Sequence, residues 1–377
     1  MMPKGGLSAN KGEWSEFYTF CYLLNAGILK TADKNLNPNA SAFLPIIKII
    51  RREDGAVKDY YPDKDKSVRI YINDEPVKTV PKSEFESTVS MLYQRMKDGT
   101  TDDDEFQKTI RAFMGTIHCT KIKANSSEKK DIEIQVHDTN TNQTPIQGFS
   151  IKSYIGSKPT LLNAGKTTNF TFKVNGCDAG LMKEVNSIET RTKIVDKMQA
   201  IYDAGCSLEF AEMDSDCFRR NLQKVDSLMP QIMAQMLLAH YTTGKSKLSE
   251  VALMLEKNDP LGMDNGGYYI YKMKTVLCAF ALGMIPSDPW NGIEDANGGY
   301  IVVKEDGDVV CFFLYDRNIF EEYLLECTMF ERASTTRHEY MEIYEKGGEY
   351  FIKLNLQIRF TKPVENKCDS TLDSYLR

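Results

Sequence analysis

Residues 131–155, DIEIQVHDTNTNQTPIQGFSIKSYI, are the stretch from which the fold of this chain is best approached. Polar and apolar residues alternate over 131–138 and again over 146–155, and the polar stretch between these runs contains Asn142 and Pro145. Alternation with a period of two is typical of strands with one buried face, and a polar loop between two such runs indicates a hairpin. The sequence therefore predicts a long-looped antiparallel hairpin here.

One face of this hairpin carries side chains that can do chemistry. Asp131 and Glu133 share a face of the first strand, and Ser150 and Lys152 share a face of the second. A loop centred near Asn142 would place Asp131 opposite Lys152 and Glu133 opposite Ser150. Two carboxylates and an ammonium group can hold Mg²⁺ and activate a water for phosphodiester hydrolysis. The alternative is a hydrated polar face with no more than a weak ion pair between Asp131 and Lys152.

Asp138 is the rival acid on the first strand. It belongs to the apolar parity, and it would lie about seven residues along the hairpin from Lys152, or roughly 23 Å. We therefore expect Asp131 to be the functional carboxylate.

The rest of the chain predicts a mixed α/β (α+β) fold, in which helices flank a central β-sheet and a helical middle precedes a C-terminal β portion. Residues 1–180 would form a catalytic core, and residues 181–377 would contribute to recognition, either as a second domain or as part of one continuous domain. The predicted helices are 12–30, ending at Asn25-Ala26-Gly27, then 83–97, 103–114, several within 180–285, and 317–330; the predicted strands outside the hairpin are 43–50, 67–72, 300–315 and 353–358.

Composition excludes several classes of protein. With 42% hydrophobic residues the 377-residue chain is globular, and its formal charge of −6 does not by itself indicate a nucleic-acid binder. Its nine cysteines form no Cys-x-x-Cys pair, and no Gly-x-x-x-x-Gly-Lys loop is present, which argues against a zinc site and against nucleotide hydrolysis. No apolar run is long enough for a membrane span and the first residues lack a secretory signal, so we expect a cytoplasmic protein with no membrane partner.

Three segments, in order, resemble a known family. KGEWSE (11–16), the hairpin KDIEIQVHDTNTNQTPIQGFSIKSYIGSKPTLLNA (130–164) and KLNLQIRF (353–360) are similar to the HpaII-like type II restriction endonucleases, in the wider PD-(D/E)XK nuclease superfamily. The resemblance implies magnesium-dependent hydrolysis of double-stranded DNA at a short palindrome rich in G and C, with CCGG as the candidate site. It also implies a homodimer, because a palindrome mirrors two-fold symmetry, and a cognate DNA methyltransferase as a genetic rather than physical partner.

The superfamily pattern carries over to this chain only in part. Asp131 and Lys152 match the positions of the first acid and the lysine, whereas Ser150 stands where a second carboxylate is expected. A hydroxyl replaces a metal-bound carboxylate poorly, so the missing ligand would come from Glu133 or from the first helix. On that helix Glu13 and Glu16 share a face, and Glu16 is preferred. The resemblance thus implies Asp131, Lys152, Ser150 and Glu16 as catalytic residues, with Asp131, Glu16 and Glu133 as metal ligands.

Two loop segments have the polar, hydrogen-bonding character expected of DNA contacts. The first follows the hairpin, and the second is ERASTTRH at 331–338, where we expect base contacts, with Arg337 first. The candidate DNA-binding residues are Lys158, Asn163, Arg332, Ser334, Thr335 and Arg337.

Two other functions remain open from the sequence. A nuclease of the same fold could serve repair or act on another target, and it would give smears or cuts confined to branched DNA instead of discrete fragments. A non-catalytic DNA-binding protein with a decayed site would bind DNA without magnesium-dependent cleavage, and Ser150 is the residue that keeps this alternative open.

Overall fold

The computed structural model describes residues 7, 9–64, 66–123, 130–139, 141–264, 266–313, 315 and 317–362. The chain forms two compact units, the first comprising Met1–Pro159 and Glu294–Phe320, the second Thr160–Ile293 and Glu321–Arg377. The unit that contains the hairpin therefore also includes a later segment of the chain, Glu294–Phe320. A functional division near residue 180 into a catalytic and a recognition part stays a prediction.

The first helix, α1, spans Lys11–Ala26. Asn10 accepts the N–H of Glu13 and the Glu13 side chain accepts the N–H of Asn10, a reciprocal cap that satisfies two otherwise unpaired donors. Gly27 ends the helix in the left-handed conformation, φ 69°, where a Cβ would be strained. The predicted helix and its stop at Asn25-Ala26-Gly27 are therefore confirmed.

The first unit is built on one large sheet, of nine strands within the described residues. These strands are β1 Ile28–Ala32, β2 Pro38–Glu53, β3 Ala56–Pro62, β4 Ser67–Ile72, β5 Glu75–Pro81, β6 Ile132–Val136, β7 Ile146–Ser153, β11 Gly299–Val303 and β12 Val309–Phe313. They lie in the order β1-β12-β11-β7-β6-β2-β3-β4-β5. Helices α2 (Lys82–Asp98) and α3 (Asp104–Thr116) follow β5.

The sheet closes on itself through its first strand. β1 pairs in parallel with β12 and antiparallel with the first half of the 16-residue β2. Inside this ring β7 lies between β6, which is antiparallel to it, and β11, which is parallel to it. Apolar side chains of alternate strand positions and of α1 share one buried core, among them Trp14, Phe17, Ile134, Phe149, Ile151 and Ile301.

The hairpin is confirmed as β6 and β7, but the predicted register is wrong by two residues. Glu133 lies opposite Gly148, not Ser150, and the pairing brings Asp131 level with Ser150 instead of Lys152. The cause is the loop, in which an additional bridge joins Asp138 to Gln143 and shifts the point of reversal. A shift of two residues leaves every side chain on its predicted face, so the polar face persists.

The second unit combines helices with two small sheets. The region 180–285 is largely helical as predicted, but a strand of alternating residues, Ser207–Met213, interrupts it. The strands of the two sheets are β8 Thr160–Leu162, β9 Asn169–Asn175, β10 Ser207–Met213, β13 Thr328–Phe330, β14 Ile343–Lys346, β15 Glu349–Asn355 and β16 Ile358–Phe360. Within the described residues, one sheet has the order β10-β9-β15-β14 and the other β13-β16-β8. The helices that follow β9 are α4 Ala179–Asn186, α5 Lys193–Asp203, α6 Asp216–Val225, α7 Met229–Thr243, α8 Leu248–Asn258, α9 Tyr268–Leu282, α10 Arg317–Glu326, which begins in the first unit, and α11 Thr335–His338.

The coarse fold class is therefore confirmed: the protein is a mixed α/β chain with helices and several sheets. None of its described helices combines the length and the apolar character that a membrane crossing needs.

Candidate active site

Asp131 lies immediately before β6 and is fixed by its neighbours on β7. Its backbone N–H donates to the carbonyl of Phe149 at 2.8 Å. Its carboxylate Oδ2 accepts the backbone N–H of Ile151 at 2.7 Å and the hydroxyl of Ser150 at 3.1 Å. The carboxylate thus replaces a main-chain acceptor at the end of the ladder, which orients it more tightly than a surface aspartate.

Glu16 approaches the same place from α1. Its Oε2 atom is buried and has no hydrogen-bond partner among the described residues. The pKa of Glu16 is raised to about 8. Burial is the largest cause, repulsion from Asp131 adds to it, and the nearby charge of Lys123 acts in the opposite direction. Two carboxylates far apart in sequence therefore lie close enough to repel each other, and one of them has a buried oxygen without a partner among the described residues.

The other two candidate carboxylates are occupied elsewhere. Glu13 caps α1 by accepting the N–H of Asn10 at 2.8 Å. Glu133 pairs with Arg52 at 2.8 Å and with Lys130 at 3.0 Å. The contacts of both residues therefore support Glu16, not Glu13 or Glu133, as the companion of Asp131.

Lys152 lies on β7 two residues beyond Ser150 and is half-buried. The two positions point to the same side of the strand and are separated by about 7 Å along it. On the neighbouring β11, Tyr300 pairs with Ser150 and Val302 with Lys152. Tyr300 is fully buried and close enough to Asp131 for repulsion to add to the burial that raises the pKa of its phenol. The strand next to Ser150 and Lys152 is therefore fully buried and consists of apolar and aromatic residues after Gly299.

The donor set fits a hard divalent cation. Glu16 and Asp131 supply carboxylate oxygens, and Mg²⁺ characteristically takes one or two protein carboxylates and completes its shell with water and phosphate oxygens. No group of three or more His, Cys, Asp or Glu side chains suited to a metal occurs in the described parts of the chain. Asp131 and Glu16 both offer oxygen donors, so a softer metal that needs several nitrogen or sulfur ligands fits them less well.

Asp138, the acid that was not favoured as the functional carboxylate, makes a hydrogen bond within the hairpin loop. It is 1% exposed, and it accepts the hydroxyl of Thr141 at 2.7 Å within the hairpin loop. Its carboxylate therefore holds the turn at the far end of the hairpin.

A buried charged cluster next to the site was not anticipated from the sequence. Arg51 donates to Glu53 at 2.6 Å, and Lys58 donates to the same carboxylate at 2.9 Å, with all three side chains almost fully buried. Burial opposes ionisation of Glu53, but the charge of Arg51 and several hydrogen bonds outweigh it and lower its pKa to about 2. A signal was present in the sequence, since Arg51 and Glu53 continue the buried parity of Ile49 along β2.

Comparisons with known proteins show which family the chain belongs to. A sequence profile described as HpaII restriction endonuclease matches residues 10–360. The chain belongs to the HpaII restriction endonuclease family. It is 39% identical over 357 residues to the type II restriction enzyme HpaII of Haemophilus parainfluenzae, covering 94% of this chain and 98% of that protein. No solved structure matches the chain. The resemblance inferred from three segments is therefore confirmed over almost the whole length.

Within this HpaII-family chain the residues expected to contact DNA lie in different parts of the fold. Lys158 is exposed after β7 in the first unit, and Asn163 is exposed after β8 in the second. Ser334 caps the short helix α11 by accepting the N–H of Arg337, whose side chain is exposed, and Thr335 begins that helix. These positions leave the expected DNA contacts as predictions.

Arg332 differs from the other residues of this segment. Its guanidinium lies 5.7 Å from the centre of the Tyr241 ring. The Nε and Nη2 atoms are buried and have no hydrogen-bond partner within the described residues. The Arg332 guanidinium is therefore held by its packing against the Tyr241 ring and not by hydrogen bonds from Nε or Nη2 to described residues.

Proposed function

We propose that this restriction endonuclease hydrolyses phosphodiester bonds of double-stranded DNA at a short G/C-rich palindrome, with Mg²⁺ bound by Asp131 and Glu16. The observation that carries the proposal is the pair of carboxylates itself. Ser150 and the N–H of Ile151 hold Asp131 from one side, while the buried Glu16 Oε2 lacks a partner among described groups. Recognition of CCGG is proposed on the 39% identity to the enzyme HpaII.

The strand arrangement supports a PD-(D/E)XK core. β2, β6 and β7 are successive antiparallel neighbours, and β11 adds in parallel on the other side of β7. The helix α1 packs against the same strands and brings Glu16 to them. An acid before one strand and a lysine on the next therefore occupy one end of a mixed sheet, as the superfamily pattern requires.

Each residue of the site has a distinct task in the proposed reaction. A bound divalent cation supplies Lewis acidity toward a phosphate oxygen and neutralises developing charge. Lys152 orients the attacking water and opposes the charge of the phosphate. Ser150 orients Asp131 by donating to it and does not replace the missing carboxylate.

A homodimer is proposed because a palindrome presents the same half-site twice, related by a two-fold axis. The cognate methyltransferase would protect the same sequence in the host genome and need not touch this protein. A restriction endonuclease meets DNA inside the cell, so we propose the cytoplasm as its location. The residues Lys158, Asn163, Arg332, Ser334, Thr335 and Arg337 are the proposed DNA contacts.

The decisive experiment is digestion of a plasmid of known sequence by the purified protein with Mg²⁺, followed by mapping of the ends. Discrete fragments that begin at CCGG would support the full proposal. Discrete fragments with other ends would retain the restriction activity and replace the proposed site. Binding without cleavage would favour the decayed-site alternative, which the serine at position 150 keeps open.

A further inference from the structure

A lysine that the superfamily pattern does not include lies near Glu13 and Glu16. Lys123 Nζ is 4.0 Å from Glu13 Oε1, and its charge also acts on Glu16. The side chain is 42% exposed, so it remains accessible to solvent and to a ligand. Its separation from Glu13 is at the limit of an ion pair, and such a half-exposed pair contributes about 0–1 kcal/mol, too little to explain the placement by itself.

Hydrogen bonds from the buried charged cluster hold the segment that precedes Lys123. Arg51 Nη2 donates to the carbonyl of Lys121 at 2.7 Å and to that of Ile122 at 3.3 Å. Arg51 is 4% exposed, and its guanidinium stacks over Phe20 of α1 with 4.9 Å to the ring centre. The same arginine therefore contacts both the helix that carries Glu16 and the two residues before Lys123.

Glu53 and Lys58 extend this anchoring. Glu53 Oε2 accepts the backbone N–H of Thr120 at 2.8 Å and its hydroxyl at 2.9 Å. Lys58 donates to the carbonyl of His118 at 2.7 Å. A buried charged network of this kind is costly unless it is fully paired, and here its hydrogen bonds are directed at one irregular segment, 118–122. The network therefore fixes the main chain on which Lys123 stands.

The charge balance of the proposed site gives Lys123 a task. Asp131, Glu16 and one DNA phosphate carry about three negative charges, and Glu13, which caps α1 and is no metal ligand, adds a fourth because its charge also acts on Glu16. A divalent cation and Lys152 supply about three positive ones. A fourth positive charge in reach of the phosphate would remove the excess. Among the described residues, Lys123 is a half-exposed cation on the α1 side of the site.

We propose that Lys123 is a second active-site lysine, which contacts a non-bridging oxygen of the DNA phosphate next to the metal, and that Arg51 positions it. The proposal rests on the proposed function, because it presumes that a DNA phosphate occupies this place. It predicts that Lys123 contributes both to DNA binding and to the rate of cleavage.

The test compares Lys123→Met, which keeps the alkyl stem, with Lys121→Ala as the matched control and Lys123→Arg as the charge-retaining variant. Lys121 stands two residues earlier on the same segment, but its side chain is 53% exposed and lies 3.8 Å from Asp54. Single-turnover cleavage in Mg²⁺ should be about 100-fold slower for Lys123→Met and nearly unchanged for Lys121→Ala, with most of the rate retained by Lys123→Arg. Thermal unfolding midpoints of all three should match that of the unaltered chain, which separates loss of function from loss of fold.

Binding of a CCGG duplex in Ca²⁺ at several salt concentrations gives an independent readout. Loss of a phosphate contact lowers the slope of log K against log salt by about 0.9 per contact, so Lys123→Met should show a shallower slope than Lys121→Ala. Equal slopes and equal rates for these two variants would overturn the role of Lys123. If the unaltered chain binds this duplex but does not cleave it, the proposed function fails while the slope comparison still decides the contact.

Discussion

Ser150 donates its hydroxyl to Asp131 at 3.1 Å. The residue that replaces the expected second acid of the superfamily pattern therefore supports the first acid. Glu16, whose buried Oε2 lacks a partner among the described groups, is the carboxylate that we propose as its companion. The departure at Ser150 and the approach of Glu16 are two aspects of one arrangement.

Replacing Ser150 by alanine should slow cleavage about fivefold without abolishing it. The hydroxyl is lost, but the N–H of Ile151 still donates to Asp131 at 2.7 Å, so the carboxylate keeps its stronger anchor. One hydrogen bond of about 1 kcal/mol corresponds to a change of that size. Single-turnover rates in Mg²⁺ provide the measurement, and a complete loss would mean that Ser150 takes a direct part in the chemistry.

Asp131→Asn and Asp138→Asn form a matched pair at the two ends of the hairpin. Asp131→Asn should eliminate cleavage, because an amide is a poor ligand for a hard cation. Asp138→Asn should cut within a few-fold of the unaltered chain while unfolding is easier by about 1 kcal/mol, since it perturbs the bond to Thr141. Plasmid cleavage and urea denaturation distinguish the two effects, and an active Asp131 variant beside an inactive Asp138 variant would reverse the assignment.

Lys152→Ala should abolish cutting and leave DNA binding in Ca²⁺ largely intact. The ammonium group acts on the water and the phosphate in the transition state, whereas binding draws on many other contacts. Gel-shift titration in Ca²⁺ beside cleavage assays in Mg²⁺ tests this, and retained cutting would refute the role assigned to Lys152.

Glu16→Gln should stabilise the metal-free protein at alkaline pH. The pKa of Glu16 is about 8 in the folded chain against an ordinary value of 4.5, chiefly because of burial. Between these values the unfolded chain ionises and the folded chain does not, so the native protein loses stability as pH rises from about 4.5 to 8. Glutamine removes that loss, and the variant should exceed the unaltered chain by about 1–3 kcal/mol at pH 8.

The same substitution gives its own control. At pH 4 the two proteins should be equally stable, since the glutamate is then protonated in both states. Added Mg²⁺ should raise the unfolding midpoint of the unaltered chain and leave that of Glu16→Gln unchanged, because a ligand stabilises only a state that binds it. Equal midpoints of the two proteins at pH 8 without metal would contradict the burial of an unpartnered carboxylate.

Local sequence patterns were enough to predict the helix and the two strands that carry the site. Contacts between residues far apart in sequence determine how these elements are placed relative to one another. The end of α1 followed from Asn25-Ala26-Gly27, because a left-handed glycine is a local requirement. The register of β6 and β7 did not, because the bridge between Asp138 and Gln143 depends on how the loop folds. Polar alternation fixed the faces and was indifferent to a shift of two residues.

The electrostatic proximity of Glu16 and Asp131 arises from the tertiary fold, and no rule of sequence spacing predicts it. The sequence left Glu16, Glu13 and Glu133 as candidates for the second carboxylate. Only the three-dimensional contacts of Glu13 and Glu133 set these two apart from Glu16. The sequence did not point to Arg51, because a charged residue at a buried position of a strand looks like an exception to the alternation. It did not point to Lys123, because that residue lies outside any helix or strand. The partners of a buried charge become apparent only in three dimensions.

Arg337→Ala and Arg332→Ala should separate recognition from packing in the second unit. Arg337 is exposed on α11, so its loss should weaken binding to a CCGG duplex by about 10- to 100-fold, the value of one good base contact, with little change in thermal stability. Arg332 packs against Tyr241, so its loss should also lower the unfolding midpoint. Competition binding with a duplex that lacks CCGG measures specificity, and an Arg337 variant that weakens both duplexes equally would indicate a phosphate contact and not a base contact.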